Sequence, residues 1–368
     1  MKILNALLIF ITLLINIKLT AAEEEKSKTD EAILFQAQKF TSILKTLHEN
    51  HVDSIDIEKV SEAAFQAMLQ EIDKYGKYLS ADERKQVKNR DEGKSVGIGI
   101  KLLPVRDTLT VYFVYPNSPS DSAGLRAGDK ILFIDGENAV KIQAEKAKNL
   151  IEGEEGSVVS IIAKRGKSSN LKEYKVGRNK FPVSSVAASF VIGDTDIGYI
   201  SYNRFTKVSD EEFIEEAKKL KEKGIKKMIL DLRSNPGGYL RQITNIADQF
   251  LYDGDTVTYT EARNDNFKFE YETTEDGFLK DMPLVIMIDD KSASATEAIA
   301  GCIQDLDRGL IIGEPSYGKG SAQKMWELND GSAFQFTIAR YHTPSGRCIE
   351  KVKIDDKNKP KLDHKASQ

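Results

Sequence analysis

At 368 residues, 40% of them hydrophobic, the chain is long enough for two or three domains with separate cores. Charged residues make up 30% and the formal net charge is −4, so there is no basic excess of the kind that holds nucleic acid. Two cysteines and four histidines, with no CxxC and no H-E-x-x-H pair, exclude a disulfide framework and argue against a metal site; no cofactor is expected.

The first residues bear on the compartment. Met1-Lys2 precedes the apolar run "ILNALLIFITLLINI" (Ile3–Ile17), and "TAA" (Thr20–Ala22) offers small residues for cleavage. A spanning helix needs roughly 20 apolar residues, so residues 1–22 read as a cleaved signal peptide rather than an anchor. Lys18 sits awkwardly close to the cleavage site, which keeps an uncleaved anchor as the alternative. Export to the periplasm or cell envelope of a bacterium follows, and it would permit Cys302 and Cys348 to pair.

Over 23–93 the apolar period is helical. Ile33, Leu34, Ala37, Phe40, Ile43, Leu44 and Leu47 recur at spacings of three and four, and Val60, Ala64, Ala67 and Met68 repeat the pattern. A small helical domain is expected.

At "KSVGIGIKLL" the period changes to that of strands. "SPSDSAGLRAGDKILFIDG" (Ser118–Gly136) predicts a short helix, a turn at Gly128-Asp129 and an apolar strand. Together with "AKNLIEGEEGSVVSIIAKRG", the order and spacing over 94–178 resemble a PDZ domain. The resemblance implies a β-rich module that binds a chain's last residues. Gly97, Ile98, Gly99 and Ile100 would hold the terminal carboxylate while the tail adds as a strand. Taken alone, "GIGI" is only a glycine-containing strand start.

From 179 to 352 strands and helices alternate, as in an α/β core: "DIGYISYNRF" and "IKKMILDLR" as strands, "SDEEFIEEAKKLKEKG" and "SATEAIAGCIQDLDRG" as helices, "PLVIMID" as a buried strand. The charged tail over 353–368 reads as disordered. The fold class is thus multidomain α+β: a helical N-terminal segment, an inserted β-rich module and an α/β core.

Within the core, "GEPSYGKGS" (Gly313–Ser321) nearly spells a nucleotide-binding loop. Such a loop needs Ser or Thr after the lysine and then a helix facing the phosphates. Here Gly320 follows Lys319, and Ala322, Lys324, Trp326 and Leu328 alternate before an "NDG" turn, which predicts a β-hairpin. The nucleotide reading fails.

Ser294 begins an apolar-striped helix, and Ser294-x-x-Glu297 is a capping box that needs no chemistry to explain it. The same position, between Ala293 and Ala295 at a helix's positive end, is also where a nucleophile gains most. Its base could be His342, oriented by Asp305, or Lys319. A lysine base must be neutral, so its pKa must fall roughly 3 units from about 10.4, which burial away from carboxylates can supply.

"DLRSNPGG" (Asp231–Gly238), "KSASATEAIAGCIQDLDRGLIIGEPSYGKGSAQ" (Lys291–Gln323) and "TIARYHTPSGR" (Thr337–Arg347) resemble the carboxyl-terminal-processing, or tail-specific, proteases. Those enzymes also carry an inserted PDZ domain and a helical N-terminal segment. The resemblance implies Ser294 as nucleophile, Lys319 as base, Gln323 orienting the lysine, and an oxyanion hole from the N–H groups of Ala295 and of Gly237 or Gly238. It implies an exported serine endopeptidase acting on proteins with free apolar C-termini. Membrane contact is expected only through the first segment if uncleaved. An adaptor protein and a homo-oligomer are compatible with this reading, which specifies neither. Asp305 matches a family aspartate and, with no histidine to orient, reads as structural.

Two departures stand out. "DKYGKYLSADE" (Asp73–Glu83) lacks the family's usual proline after the aspartate, and "CIEKVKIDD" (Cys348–Asp356) replaces a Gly/Pro/Asp stretch. The rival readings are a catalytically silent PDZ scaffold of the cell envelope and a Ser-His-Asp hydrolase using His342.

Overall fold

The computed structural model describes residues 27–166 and 170–351. The expected signal peptide over 1–22 and the charged tail over 353–368 lie outside the described residues. Two units separate at the Ile72–Asp73 junction. The first contains helix α1 (27–50) and helix α2 (Ile57–Ile72), with the rings of Phe40 and Phe65 6.0 Å apart. The helical period of the sequence is the cause of both.

The second unit opens with β1 (Lys77–Leu79) and α3 (Ala81–Asp91). Ser80 and Glu83 cap α3 reciprocally: Ser80 N–H donates to Glu83 Oε2 (3.1 Å), and Glu83 N–H to Ser80 Oγ (3.3 Å). β2 (Lys94–Gly97) then leads into an antiparallel sheet formed by β3 (Ile100–Val105), β4 (Thr108–Val114), β5 (Asp129–Ile134), β6 (Glu137–Asn138), β7 (Val158–Arg165) and β8 (Leu171–Gly177). The strand order is β3-β4-β5-β7-β8, with β6 on β5, so β3 lies at the open edge. Helices α4 (Pro119–Ala123) and α5 (Ala144–Ile151) complete the module.

Val111, Leu125, Ile131, Ile134, Ile161 and Val176 are fully buried in its core, each contributing about 1.5–3 kcal/mol of burial. The "GD" turn is explained by Asp129, whose carboxylate accepts from Arg165 (2.7 and 2.8 Å) and from Arg126 N–H (2.9 Å). The chain leaves as β9 (Asn179–Pro182), antiparallel to β2 with Lys94 opposite Pro182. Entry and exit of the module are thus one two-stranded ribbon.

The remaining chain builds two sheets. One, in the order β10-β11-β12-β15-β16, comprises β10 (Val186–Val191), β11 (Ile197–Tyr202), β12 (Lys227–Asp231), β15 (Leu284–Ile288) and β16 (Leu310–Gly313). β11, β12, β15 and β16 run parallel, and β10 is antiparallel to β11. Helices α6 (Ser209–Glu222), α7 (Leu240–Ala247) and α8 (Ala295–Asp305) connect these strands and share the main core, with Phe213, Ile243, Ile246, Ile299 and Ile303 all buried. The other sheet holds β1, β13 (Thr256–Glu261), β14 (Glu270–Glu272), β17 (Ser321–Glu327) and β18 (Ala333–His342). β17 and β18 form the hairpin predicted after the lysine loop, so no helix follows Lys319. β1 pairs with β18, which ties the segment after Asp73 to the core.

Candidate active site

In an open parallel sheet the loops after neighbouring strands gather at the carboxyl end, where ligands bind. β12, β15 and β16 are adjacent, so the turns after them converge. Those turns carry Gly237-Gly238, Ser294 and Lys319.

The first two turns are stitched together. Ala293 N–H and Thr296 Oγ1 both donate to Asn235 O (3.0 Å each), Ser234 N–H donates to Asp289 Oδ1 (2.8 Å), and Ser292 Oγ donates to Leu232 O (2.8 Å). At the base of this contact Asp231 accepts two bonds from Arg233 Nε and Nη2 and one from Tyr199 (2.6 Å). Burial alone would raise the Asp231 pKa, but Arg233 and Tyr199 hold it below the usual carboxylate range.

Ser294 stands immediately before α8 with φ +61° and ψ −121°, a conformation that costs a non-glycine residue about 1–3 kcal/mol. Glu297 holds it there. Its Oε2 accepts from Ser294 N–H (2.7 Å) and from Lys319 N–H (2.8 Å), while Oε1 accepts from Gly318 N–H (2.6 Å) and Ser316 Oγ (2.7 Å). The expected capping glutamate is therefore also the clamp that binds the lysine loop to the serine turn. It is only 4% exposed, so all four donors depend on it.

The lysine between two glycines belongs to a squeezed loop. Gly318 has φ +86°, and a Cβ there would lie 2.3 Å from the Lys351 side chain. Gly320 N–H donates to Glu350 Oε2 (2.8 Å), and Tyr341 N–H donates to Gly320 O (2.9 Å). Lys319 Nζ lies over the Tyr75 ring, 4.8 Å from its centroid. Burial lowers the Lys319 pKa, outweighing the opposing pull of Glu350, Asp73 and Glu297. Among the described residues no hydrogen bond joins Lys319 Nζ to Ser294.

Gln323, the first pair of β17 after a bulge, directs its amide to Ser321 O (3.1 Å), Ser321 Oγ (3.2 Å) and Thr337 Oγ1 (3.2 Å), not to Lys319. Of the expected oxyanion donors, Gly237 N–H is committed to Asn235 Oδ1 (2.9 Å). Ala295 and Gly238 N–H meet no protein acceptor among the described residues. Gly237 still shapes the site: a Cβ there would lie 2.5 Å from Ala293 O and 2.8 Å from both Ala295 N and Ser294 Cβ, at φ +92°. Gly237→Ala is therefore expected to cost about 2–3 kcal/mol and to slow Ser294 labelling by a fluorophosphonate roughly 10- to 100-fold. Thermal unfolding and labelling rates check this; unchanged labelling would contradict it.

The histidine alternative is not assembled. His342 stacks on Tyr259 (5.1 Å), with Nε2 3.4 Å from Glu261 and Nδ1 3.3 Å from Gly346 O. Asp305 is held by Arg347 and by Ser345 N–H and Oγ (3.1 and 2.5 Å). Burial alone would raise its pKa, but Ser345, Thr343 and Arg347 keep it low. Cys302 is buried and Cys348 partly so, and both are free thiols.

At the expected tail-binding loop, Ser120 N–H donates to Ile98 O (2.9 Å) and Tyr115 N–H to Gly99 O (3.0 Å). Ile100 and Leu102 of β3 and Ala147, Leu150 and Ile151 of α5 share one apolar cluster with buried Ile98. Gly97 carries φ +143° at the entrance to this loop.

Three residues at the site carried no local signal: Tyr75 beneath the lysine, Glu350 beside it, and Tyr341. Tyr75 Oη is 3.5 Å from Glu350 Oε1, across 275 residues of sequence.

Comparison with known proteins identifies the family. Residues 196–358 match peptidase family S41, and residues 110–165 match the PDZ domain. A carboxyl-terminal-processing protease of Picosynechococcus is 34% identical over 285 residues, covering 77% of this chain and 68% of that one. A CtpA-like serine protease of Staphylococcus aureus is 30% identical over 324 residues, covering 88% of this chain and 64% of that one. The chain thus spans about two thirds of the length of these relatives. A solved structure from Bacteroides fragilis described as an S41 protease has the same fold, with a TM-score of 0.54 at 16% identity, covering 83% and 86% of the two chains.

Proposed function

Because the chain belongs to peptidase family S41, with the carboxyl-terminal-processing serine proteases and their PDZ domain, we propose that it is an endopeptidase using Ser294 as nucleophile and Lys319 as base. The observation that carries this reading is the Glu297 carboxylate. One oxygen accepts both Ser294 N–H (2.7 Å) and Lys319 N–H (2.8 Å), so the two backbones are registered to a single atom. Burial that lowers the Lys319 pKa favours the neutral amine a base requires.

The chemistry proceeds in two stages. Ser294 Oγ attacks the scissile carbonyl as its proton passes to Lys319 Nζ, the carbonyl electron pair moves to oxygen, and the amine leaves with a proton from Lys319. Water, deprotonated by Lys319, then hydrolyses the acyl-enzyme. Ala295 N–H and Gly238 N–H are the donors suited to the developing oxyanion. Gln323 would steady Lys319 from β17 once the lysine leaves the Tyr75 ring. That departure belongs to the proposed cycle, since Lys319 Nζ lies over Tyr75 and the Gln323 amide is directed to Ser321 and Thr337.

Substrates are proteins with free apolar C-termini, taken as an added strand at the open edge of β3 with the carboxylate at Gly97–Ile100. The apolar cluster of Ile98, Ile100 and Leu150 supports an apolar last residue. Export to a bacterial envelope is proposed from the N-terminal apolar run, as are an adaptor protein and self-association from the family resemblance alone. The test compares an unfolded substrate ending in a free apolar tail with the same chain amidated at its C-terminus. Cleavage is expected to slow about 10- to 100-fold on amidation. Equal cleavage of both would remove the tail-reading role. Binding of the free tail without any cleavage would favour the silent scaffold.

A further inference from the structure

Three carboxylates surround the lysine loop, and each is committed to other donors. Glu297 accepts from Ser294, Lys319 and Gly318 N–H and from Ser316 Oγ–H. Asp73 accepts from Tyr75 N–H (2.9 Å) and Thr337 N–H (2.5 Å). Glu350 accepts from Gly320 N–H at Oε2 (2.8 Å), while its Oε1 meets Lys74 Nζ (2.6 Å) and lies 3.5 Å from Tyr75 Oη. Lys319 Nζ rests on the Tyr75 ring and, among the described residues, forms an ion pair with none of the three. That ring receives two amines, Lys74 Nζ at 4.7 Å from its centroid and Lys319 Nζ at 4.8 Å. Of the other groups at the loop, Lys351 Nζ donates to Ser316 O (2.7 Å) and the Tyr341 hydroxyl to Lys319 O. Glu350 is therefore the carboxylate held by a second cation, and that cation is a surface one: the Lys74 side chain is 58% exposed and that of Glu350 13%.

Resting on the Ser294–Lys319 reading, we propose that Lys74 is a positioning residue: it occupies the Glu350 carboxylate and so denies Lys319 Nζ a counter-ion, leaving the base free to lose its proton. Glu350 meanwhile keeps its other oxygen on Gly320 N–H and fixes the loop. The surroundings drive the two lysines apart in ionisation. The bond to Glu350 raises the Lys74 pKa, and burial lowers that of Lys319. Lys74 thus keeps its charge while Lys319 becomes neutral, and that charge pushes Lys319 in the same direction as burial. Without the Lys74 ammonium, Glu350 is an uncompensated carboxylate beside the base and favours its charged form. Both arms of the pair fall where the chain departs from the family pattern, Lys74 in place of the proline and Glu350 within "CIEKVKIDD".

The test is Lys74→Met in the full chain, beside Lys74→Arg, Glu350→Gln and the Lys74→Met/Glu350→Gln double variant. The pH profiles of kcat/KM on a tail-bearing unfolded substrate and of fluorophosphonate labelling are read together. Lys74→Met is expected to move the Lys319 midpoint up by about 0.5–1 pH unit. Both rates then fall roughly 3- to 10-fold on the acidic limb, with the alkaline plateau unchanged. Glu350→Gln, whose amide oxygen can still accept from Gly320 N–H, should move the midpoint down by a similar amount. The double variant should return towards wild type, and Lys74→Arg should restore it. An exposed ion pair adds little stability, so Lys74→Met should unfold close to the wild-type midpoint. An unshifted profile, a loss equal at every pH, or shifts of the same sign from Lys74→Met and Glu350→Gln would each overturn the proposal. Any of these beside a wild type with a Lys319-dependent acidic limb defeats this inference alone. A wild type without that limb, or an active Lys319→Ala, defeats the underlying assignment and this inference with it.

Discussion

Lys319→Ala is expected to lower kcat by roughly 10⁴-fold or more while leaving tail binding intact, and Ser294→Ala to do the same. The physical reason is that neither group works alone. A serine hydroxyl is not nucleophilic without a base, and the histidine alternative is engaged elsewhere: His342 is stacked on Tyr259, and Asp305 is paired with Arg347. The double variant should therefore be no worse than either single one. His342→Ala should keep wild-type turnover.

The same lysine sets the pH dependence. Burial disfavours the ammonium, so the neutral base appears at a lower pH than for an exposed lysine. Turnover should be lost as pH falls through the Lys319 pKa and rise as pH climbs through it, with a midpoint below the ordinary 10.5. A pH series of kcat/KM measures this. A flat profile, or Lys319→Ala retaining activity, would remove the lysine from the mechanism.

The second large effect is expected at Glu297. Glu297→Ala strips acceptors from Ser294 N–H, Lys319 N–H, Gly318 N–H and Ser316 Oγ in a buried site. Unpaired buried donors cost about 1–3 kcal/mol each, and with partial relaxation a loss of about 3–5 kcal/mol in stability is expected. Activity should fall by more than roughly 10²-fold, because a base displaced by an ångström no longer meets its nucleophile. Glu297→Gln keeps one acceptor oxygen but turns an amide toward other donors, so it should lie between wild type and alanine. Urea unfolding and Ser294 labelling separate the two contributions. Glu297→Ala that unfolds at the wild-type midpoint and labels at the wild-type rate would show the clamp to be incidental.

The sequence carried whatever is encoded locally or by periodicity. The helical period behind α1 and α2, the "GD" turn, the hairpin after Lys319 and the capping pair Ser294-x-x-Glu297 all depend on neighbours a few residues apart, whereas β1, inside the expected helical stretch 23–93, forms by pairing with the distant β18. The proposed pairing of Ser294 with Lys319 comes only from the resemblance, since Ser294 alone reads as a cap and Lys319 alone as a turn lysine. The second role of Glu297 was not legible, because its partners Gly318 and Lys319 arrive from the next parallel strand. Nor was the seat of the lysine. Asp73 accepts from Thr337 N–H (2.5 Å) and Lys74 pairs with Glu350 (2.6 Å), so Tyr75 is delivered by contacts spanning most of the core's length. Both of the departures from the family pattern, around Asp73 and around Glu350, fall at this one spot.

The β2–β9 ribbon has an evolutionary consequence. Because Lys94 and Pro182 already face each other, the chain closes beneath the inserted module whatever lies between them. Closing that loop costs an entropy that changes only slowly with its length. The recognition cassette can therefore drift, lengthen or be exchanged without re-registering the strands that carry Gly237, Ser294 and Lys319. Selection is free to retune which tails are chosen while leaving the cutting machinery untouched.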